Sequence, residues 1–249
     1  MRKKKNGYSY GYGYGYGYGY GYGYGYKKDN SSLVKESYKT IRTNLLYALA
    51  GAEKKVIAIS SPTPSDGKST TSSNLAVTIA QTGNSVLLID ADLRKPTLHK
   101  LFRVTNDDGF SKVLSKQSTL DEAIKKDVKP NLSLITSGPI PPNPSELLSM
   151  PIYEQIMNEL SERYDYVIID TPPVNIVSDC QLIVRAVQGI VFVVRYKMSQ
   201  YKELELAAEN IRNIDGNILG VVINDVKEHK GPLSHRYYRH YYSYVDNEV

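Results

Sequence analysis

One cysteine, Cys180, stands in 249 residues, which excludes an intrachain disulfide framework and any metal centre built from several cysteines. That suits a reducing cytoplasm. Nowhere do apolar residues run for the roughly eighteen positions that cross a bilayer. The start MRKKKNGYSYGYG has a basic cluster but no apolar signal core behind it. Membrane association would therefore come through a partner or through surface charge. Charge of one sign is also scarce: 31 Lys and Arg oppose 26 Asp and Glu. The excess of five sits in the first thirty residues, where Arg2, Lys3, Lys4, Lys5, Lys27 and Lys28 face only Asp29. A near-neutral body lacks the basic face of a nucleic-acid binder, and no nucleic-acid partner is expected.

Glycine and tyrosine alternate from Gly7 to Tyr26, a low-complexity pattern with no apolar neighbours for the rings to pack against. Residues 1–30 are expected to be a disordered arm with a tendency to self-associate. A folded domain is expected over 31–230. It opens with SSLVKESYKTIRTNLLYALAG, an amphipathic helix carrying Leu33, Val34, Ile41, Leu45, Leu46 and Leu49 at helical spacing and ending at Gly51. The runs VIAIS, VLLID, LSLIT, YVIID, GIVFVV and LGVVIN then alternate with helical stretches. Continuous apolar runs of this kind are strands buried on both faces, so the fold class is α/β, a doubly wound, mostly parallel sheet. Residues 231–249 form a second polar, tyrosine-rich segment, expected to be a mobile tail.

In SSPTPSDGKSTTSSN a loop leads from a strand into a helix. Backbone N–H groups of Ser65, Asp66 and Gly67 at such a junction face an anion, Lys68 can reach terminal phosphates, and Ser69 or Thr70 can ligate magnesium. The general phosphate-loop pattern wants a glycine where this chain has Pro62. Strand context supports the reading despite that gap. A second strand ends in Asp90, Asp92 and Arg94, and a third in Asp170. Carboxylates at the C-terminal ends of parallel strands stand at the ligand edge of the sheet. Together these residues describe a nucleotide site with magnesium.

SPTPSDGKST, LLIDADLRKP, GPIPPNPSELL and VIIDTPP resemble the Walker A, Walker A′, connecting and Walker B segments of the bacterial tyrosine kinases of capsule and exopolysaccharide synthesis. The resemblance spans roughly Leu33 to Asp225. It implies a P-loop kinase using ATP and Mg2+, with Asp92 as proton acceptor, Lys68 on the phosphates, and Ser69, Asp90 and Asp170 around the metal. It also implies autophosphorylation of a terminal cluster, here Tyr237, Tyr238, Tyr241, Tyr242 and Tyr244, between neighbouring subunits. Further implications are a membrane-bound activator of the polysaccharide co-polymerase kind, recruitment from the cytoplasm to the inner face of the plasma membrane, a cognate tyrosine phosphatase, and a ring, an octamer, built through an E-x-x-R-x-x-R helix.

Glu36, Lys39 and Arg42 occupy the places of that helix motif, with lysine in place of the first arginine. Ser65 and Asp66 depart from the family's PGEGKST; if position 65 needs a positive φ, serine there costs strain. Thr63 stands where partition ATPases of the same superfamily carry a signature lysine. Asn224 falls where relatives contact adenine. The rival reading is an ATPase that switches assembly without phosphotransfer, separable by whether phosphotyrosine forms.

Overall fold

The computed structural model describes residues 30–226. The Gly-Tyr arm and the tyrosine cluster lie outside the described residues. The chain runs α1 (Asn30–Ala48), β1 (Val56–Ser60), α2 (Lys68–Ala80), β2 (Val86–Asp90), α3 (Leu98–Phe102), α4 (Phe110–Leu114) and α5 (Leu120–Ala123). It continues through β3 (Ile124–Lys129), β4 (Leu132–Ile135), α6 (Pro144–Ser149), α7 (Pro151–Arg163) and β5 (Tyr166–Asp170). It closes with α8 (Asp179–Val184), β6 (Gly189–Arg195), α9 (Tyr201–Arg212) and β7 (Ile218–Asn224).

The seven strands pair in the order β3-β4-β2-β5-β1-β6-β7. Every pairing is parallel except β3 on β4. All six expected strands are present. β1, β2 and β5 are buried at every position, as their continuous apolar runs require. The unexpected strand is β3, whose IKKDVK has no apolar run because an edge strand buries only one flank.

Alternating strand residues feed two cores. Val56, Ala58, Leu87, Ile89, Val167 and Ile169 pack with residues of α4, α7, α8 and α9, while Ile57, Ile59, Val86, Leu88 and Ile168 pack with α1 and α2. In α1 the apolar set divides. Leu45, and Leu49 just beyond the helix end, are buried, whereas Val34 and Leu46 lie on the exposed side. The helix ends at Ala48, three residues before Gly51, whose φ of 86° completes the turn.

Strand order positions the site. β1 and β2 are separated by β5, so the loops leaving β1 and β2 diverge and open a crevice over the strand ends. Register pairs Asp90 of β2 with Asp170 of β5, which places two carboxylates on adjacent strand ends.

Candidate active site

The loop after β1 enters α2 through Gly67 at φ 95° and Ser65 at φ 70°. Both lie in the left-handed region; for serine that conformation costs about 1–2 kcal/mol. Position 65 therefore does require the backbone state that glycine supplies without cost. The first turn of α2 leaves N–H groups without helical acceptors, the feature that receives phosphate oxygens.

Asp66 is nearly fully buried, and its carboxylate serves the loop itself. It accepts from the Thr63 backbone N at 3.2 Å, the Thr63 hydroxyl at 3.0 Å and the Ser199 hydroxyl at 2.7 Å. Asn224 Nδ2 donates to the Asp66 carbonyl at 3.0 Å. Of Asp66, only the backbone is left to serve a nucleotide, and Asn224 commits its amide nitrogen to the loop. Ser199 is a supporting residue that sequence reasoning missed, because its partner is 133 positions away.

Lys68 is the first residue of α2. Its ammonium stands 3.1 Å from Asp92 Oδ2, 3.9 Å from Asp170 Oδ2 and 3.2 Å from the Ser69 hydroxyl. Burial pulls the Lys68 pKa down, but the charges of Asp170 and Asp92 outweigh it and hold the group above its ordinary value. The two expected strand-end sites and the phosphate loop thus converge on one ammonium.

The three carboxylates differ in what holds them. Asp92 Oδ1 accepts from the Lys95 backbone N at 2.9 Å, leaving Oδ2 on Lys68. Asp90 faces inward: Oδ2 accepts from Thr97 N at 3.0 Å and Leu98 N at 2.9 Å, and Oδ1 from Asp92 N at 3.3 Å. Burial, helped by the charge of Asp170, pushes Asp90 up to about 7 despite those donors. Asp90, which the resemblance sets at the metal, also organises the loop that carries Asp92. Asp170 is fully buried, and neither oxygen has a hydrogen-bond partner among the described residues. Burial raises its pKa although Lys68 opposes the rise.

An orphaned carboxylate beside a helix-start hydroxyl fits Mg2+, which takes one or two protein carboxylates and fills its other positions with water and phosphate. Among the described residues no three acidic, histidine or cysteine side chains form a metal cage, which Mg2+ does not need. Thr70 is exposed beside Ser69, on the outer side of the helix start.

The helix motif behaves differently. Lys39 forms an ion pair with Glu36 on the exposed side of α1, and Arg42 donates to the Thr78 carbonyl of α2 at 3.2 Å. Arg42 is therefore partly used within its own chain.

A family model described as an AAA domain matches residues 54–217. Tyrosine-protein kinase YwqD of Bacillus subtilis (strain 168) is 42% identical over 196 residues, covering 79% of this chain and 83% of that protein. The putative tyrosine-protein kinase CapB of Staphylococcus aureus is 38% identical over 207 residues, covering 83% and 91%. This chain belongs to the bacterial tyrosine-protein kinase family. The kinase domain of Escherichia coli tyrosine kinase ETK superposes with a TM-score of 0.78 at 36% identity, covering 82% of this chain and 80% of that domain. A plasmid partition protein from Borrelia burgdorferi, 21% identical with a TM-score of 0.60, shares the fold. As a bacterial tyrosine kinase the chain binds a nucleotide in its P-loop and transfers phosphate to protein tyrosines. No helix among the described residues is long and apolar enough to cross a membrane.

Proposed function

We propose that this kinase transfers the γ-phosphate of ATP to Tyr237, Tyr238, Tyr241, Tyr242 and Tyr244 of neighbouring copies, and so regulates capsular or exopolysaccharide synthesis and export. The observation that carries the reading is Asp92, a carboxylate 3.1 Å from the P-loop lysine at the ligand edge of the sheet. A tyrosine hydroxyl titrates near 10, so its attack needs a proton acceptor, and Asp92 is the one placed for it. Lys68 offsets charge on the phosphates once it leaves the carboxylates. Asp170 and Ser69 would hold Mg2+, which supplies charge neutralisation on the transferring group when bound. Asp90 keeps the loop in place.

The substrate cluster holds five tyrosines within eight residues, with Arg236 and Arg239 beside them. Each phosphate adds roughly −1.5 to −2 charges, enough in number to invert that segment and alter assembly. Glu36 and Lys39, exposed on α1, are the surface proposed for a ring of eight copies. The reading includes a membrane-bound activator acting in trans and recruitment to the inner face of the plasma membrane; the likeness to the chimerical protein CapA2B2, 37% identical with a TM-score of 0.74, is in keeping with a partner segment. A cognate phosphatase would reset the tyrosines.

The test is mass-spectrometric mapping of phosphotyrosine after incubation with ATP and Mg2+, with Asp92→Asn in parallel and an activator fragment added. Phosphate on the cluster that vanishes in Asp92→Asn is expected. ATP hydrolysis without phosphotyrosine, with the activator shown to bind, would sink the proposal.

A further inference from the structure

The segment between β2 and α3 carries Asp92, and Asp90 closes it at both ends: Asp92 N donates to Oδ1, Thr97 N and Leu98 N to Oδ2. Its middle is held from outside. Arg94 Nε donates to Asp179 Oδ2 at 2.8 Å, and its NH2 donates to Asp179 Oδ1 and to the Ser145 hydroxyl, both at 3.0 Å. Ser145 Oγ donates in turn to Asp179 Oδ1 at 2.7 Å. Three segments meet in this triangle: the loop after β2, the start of α6 and the start of α8.

Asp179 is fully buried, while the Arg94 side chain is 40% exposed. Burial would raise the Asp179 pKa, and the bonds from Arg94 and Ser145 more than reverse it, holding the group below its ordinary value. The anchor therefore stays charged across neutral pH. A two-pronged guanidinium contact fixes rotation as well as distance, which a lysine cannot do. Stability alone does not call for it, since a buried ion pair is often replaceable by apolar side chains without loss. The neighbour of Arg94 shows what the rotation controls: Lys95 N donates to Asp92 Oδ1 at 2.9 Å. If the backbone at Arg94 turned, that N–H would leave Asp92.

We propose that Arg94 is a positioning residue for phosphoryl transfer, anchored on Asp179 and Ser145 so that Lys95 N–H and Lys68 hold Asp92 from two sides. The inference rests on the reading of Asp92 as the proton acceptor. Arg94 acts through the loop and needs no contact with substrate.

The experiment compares Arg94→Lys, Arg94→Met and Asp92→Asn in the full chain, measuring the steady-state rate of tyrosine phosphorylation against ATP concentration and amide hydrogen exchange at Lys95, Thr97 and Leu98. For Arg94→Lys a fall in kcat of about tenfold to a hundredfold is expected, the effect of a small misplacement, with KM for ATP nearly unchanged. Arg94→Met should fall further. In an Asp92→Asn background Arg94→Lys should add almost nothing. Lys95 should exchange faster in Arg94→Lys, while Thr97 and Leu98, held by Asp90, should not.

Unchanged kcat with unchanged Lys95 protection overturns the inference. So does a loss undiminished in the Asp92→Asn background, or one shared equally by kcat and KM. If Asp92→Asn transfers phosphate as well as the parent, the base assignment falls, and Lys95 exchange alone then decides the anchor. Should Arg94→Lys fail to fold, Ser145→Ala, which removes the third corner of the triangle and leaves the Arg94–Asp179 contact, is read by the same criteria.

Discussion

A Cβ placed on Gly67 would stand 2.0 Å from the Asn224 amide nitrogen. The side chain that closes the last strand of the sheet thus lies directly against the phosphate loop. Gly67→Ala must relieve both this contact and a φ of 95°. ATP affinity is expected to fall at least about tenfold, read by titration with a fluorescent nucleotide. Asn224→Ala alone removes one hydrogen bond to the Asp66 carbonyl, worth about 1 kcal/mol, and should weaken ATP several-fold at most. Combining the two removes the collision but leaves the backbone strain, so recovery should be partial.

Asp170→Asn should separate stability from function. It removes a fully buried carboxylate that has no hydrogen-bond partner among the described residues. The substituted protein is expected to be more stable at pH 8, by roughly 1–3 kcal/mol, since burying this charge costs more than Lys68 at 3.9 Å returns. Phosphotransfer should be lost with it. Urea unfolding alongside a kinase assay checks both halves; a destabilised Asp170→Asn would refute the reading of Asp170 as a buried charge only partly offset by Lys68.

The same carboxylates set a pH dependence whose sign follows from their direction. Asp90 is raised to about 7 and Asp170 is raised also, both first by burial. The unfolded chain releases these protons near 3.9, so between about pH 4 and 7 the folded protein holds more of them and stability falls as pH rises. The contribution of Asp90 is complete below about pH 4 and is lost on passing through about 7, and that of Asp170 is lost in the same direction as pH rises. The difference in unfolding free energy between Asp170→Asn and the parent should therefore grow as pH rises above the unfolded carboxylate range. A difference independent of pH would contradict the assignment.

Ser65→Gly is a milder change. Serine at φ 70° carries left-handed strain that glycine does not, offset in part by the greater freedom of glycine in the unfolded chain. A gain of up to about 1 kcal/mol in the denaturant midpoint is expected, with ATP affinity kept. Loss of affinity would show that the Ser65 side chain, and not only its backbone, serves the site.

Much of this was legible in sequence, for physical reasons. Strands such as VLLID and YVIID are buried on both flanks, so their composition carries no ambiguity, and the carboxylates closing them mark the ligand edge. β3 was not legible, because three lysines and an aspartate in six positions read as solvated loop. Asp66 and Asn224 were placed at the site by position alone. Their roles differ because a side chain can serve the loop's own hydrogen bonds as well as a ligand's, and position does not distinguish these. Asp179 and Ser199 were invisible, since each finds its partner only through strand order, across 85 and 133 positions.

Lys68, bridging Asp92 and Asp170, is the counterion of its own site. If that ammonium turns from Asp92 to a phosphate, nucleotide arrival and the unmasking of the carboxylate become a single event. A tyrosine entering first would meet an acceptor already neutralised by its neighbour. With Asp92 as the proposed acceptor, one ion pair predicts the order of substrates: nucleotide first, tyrosine second.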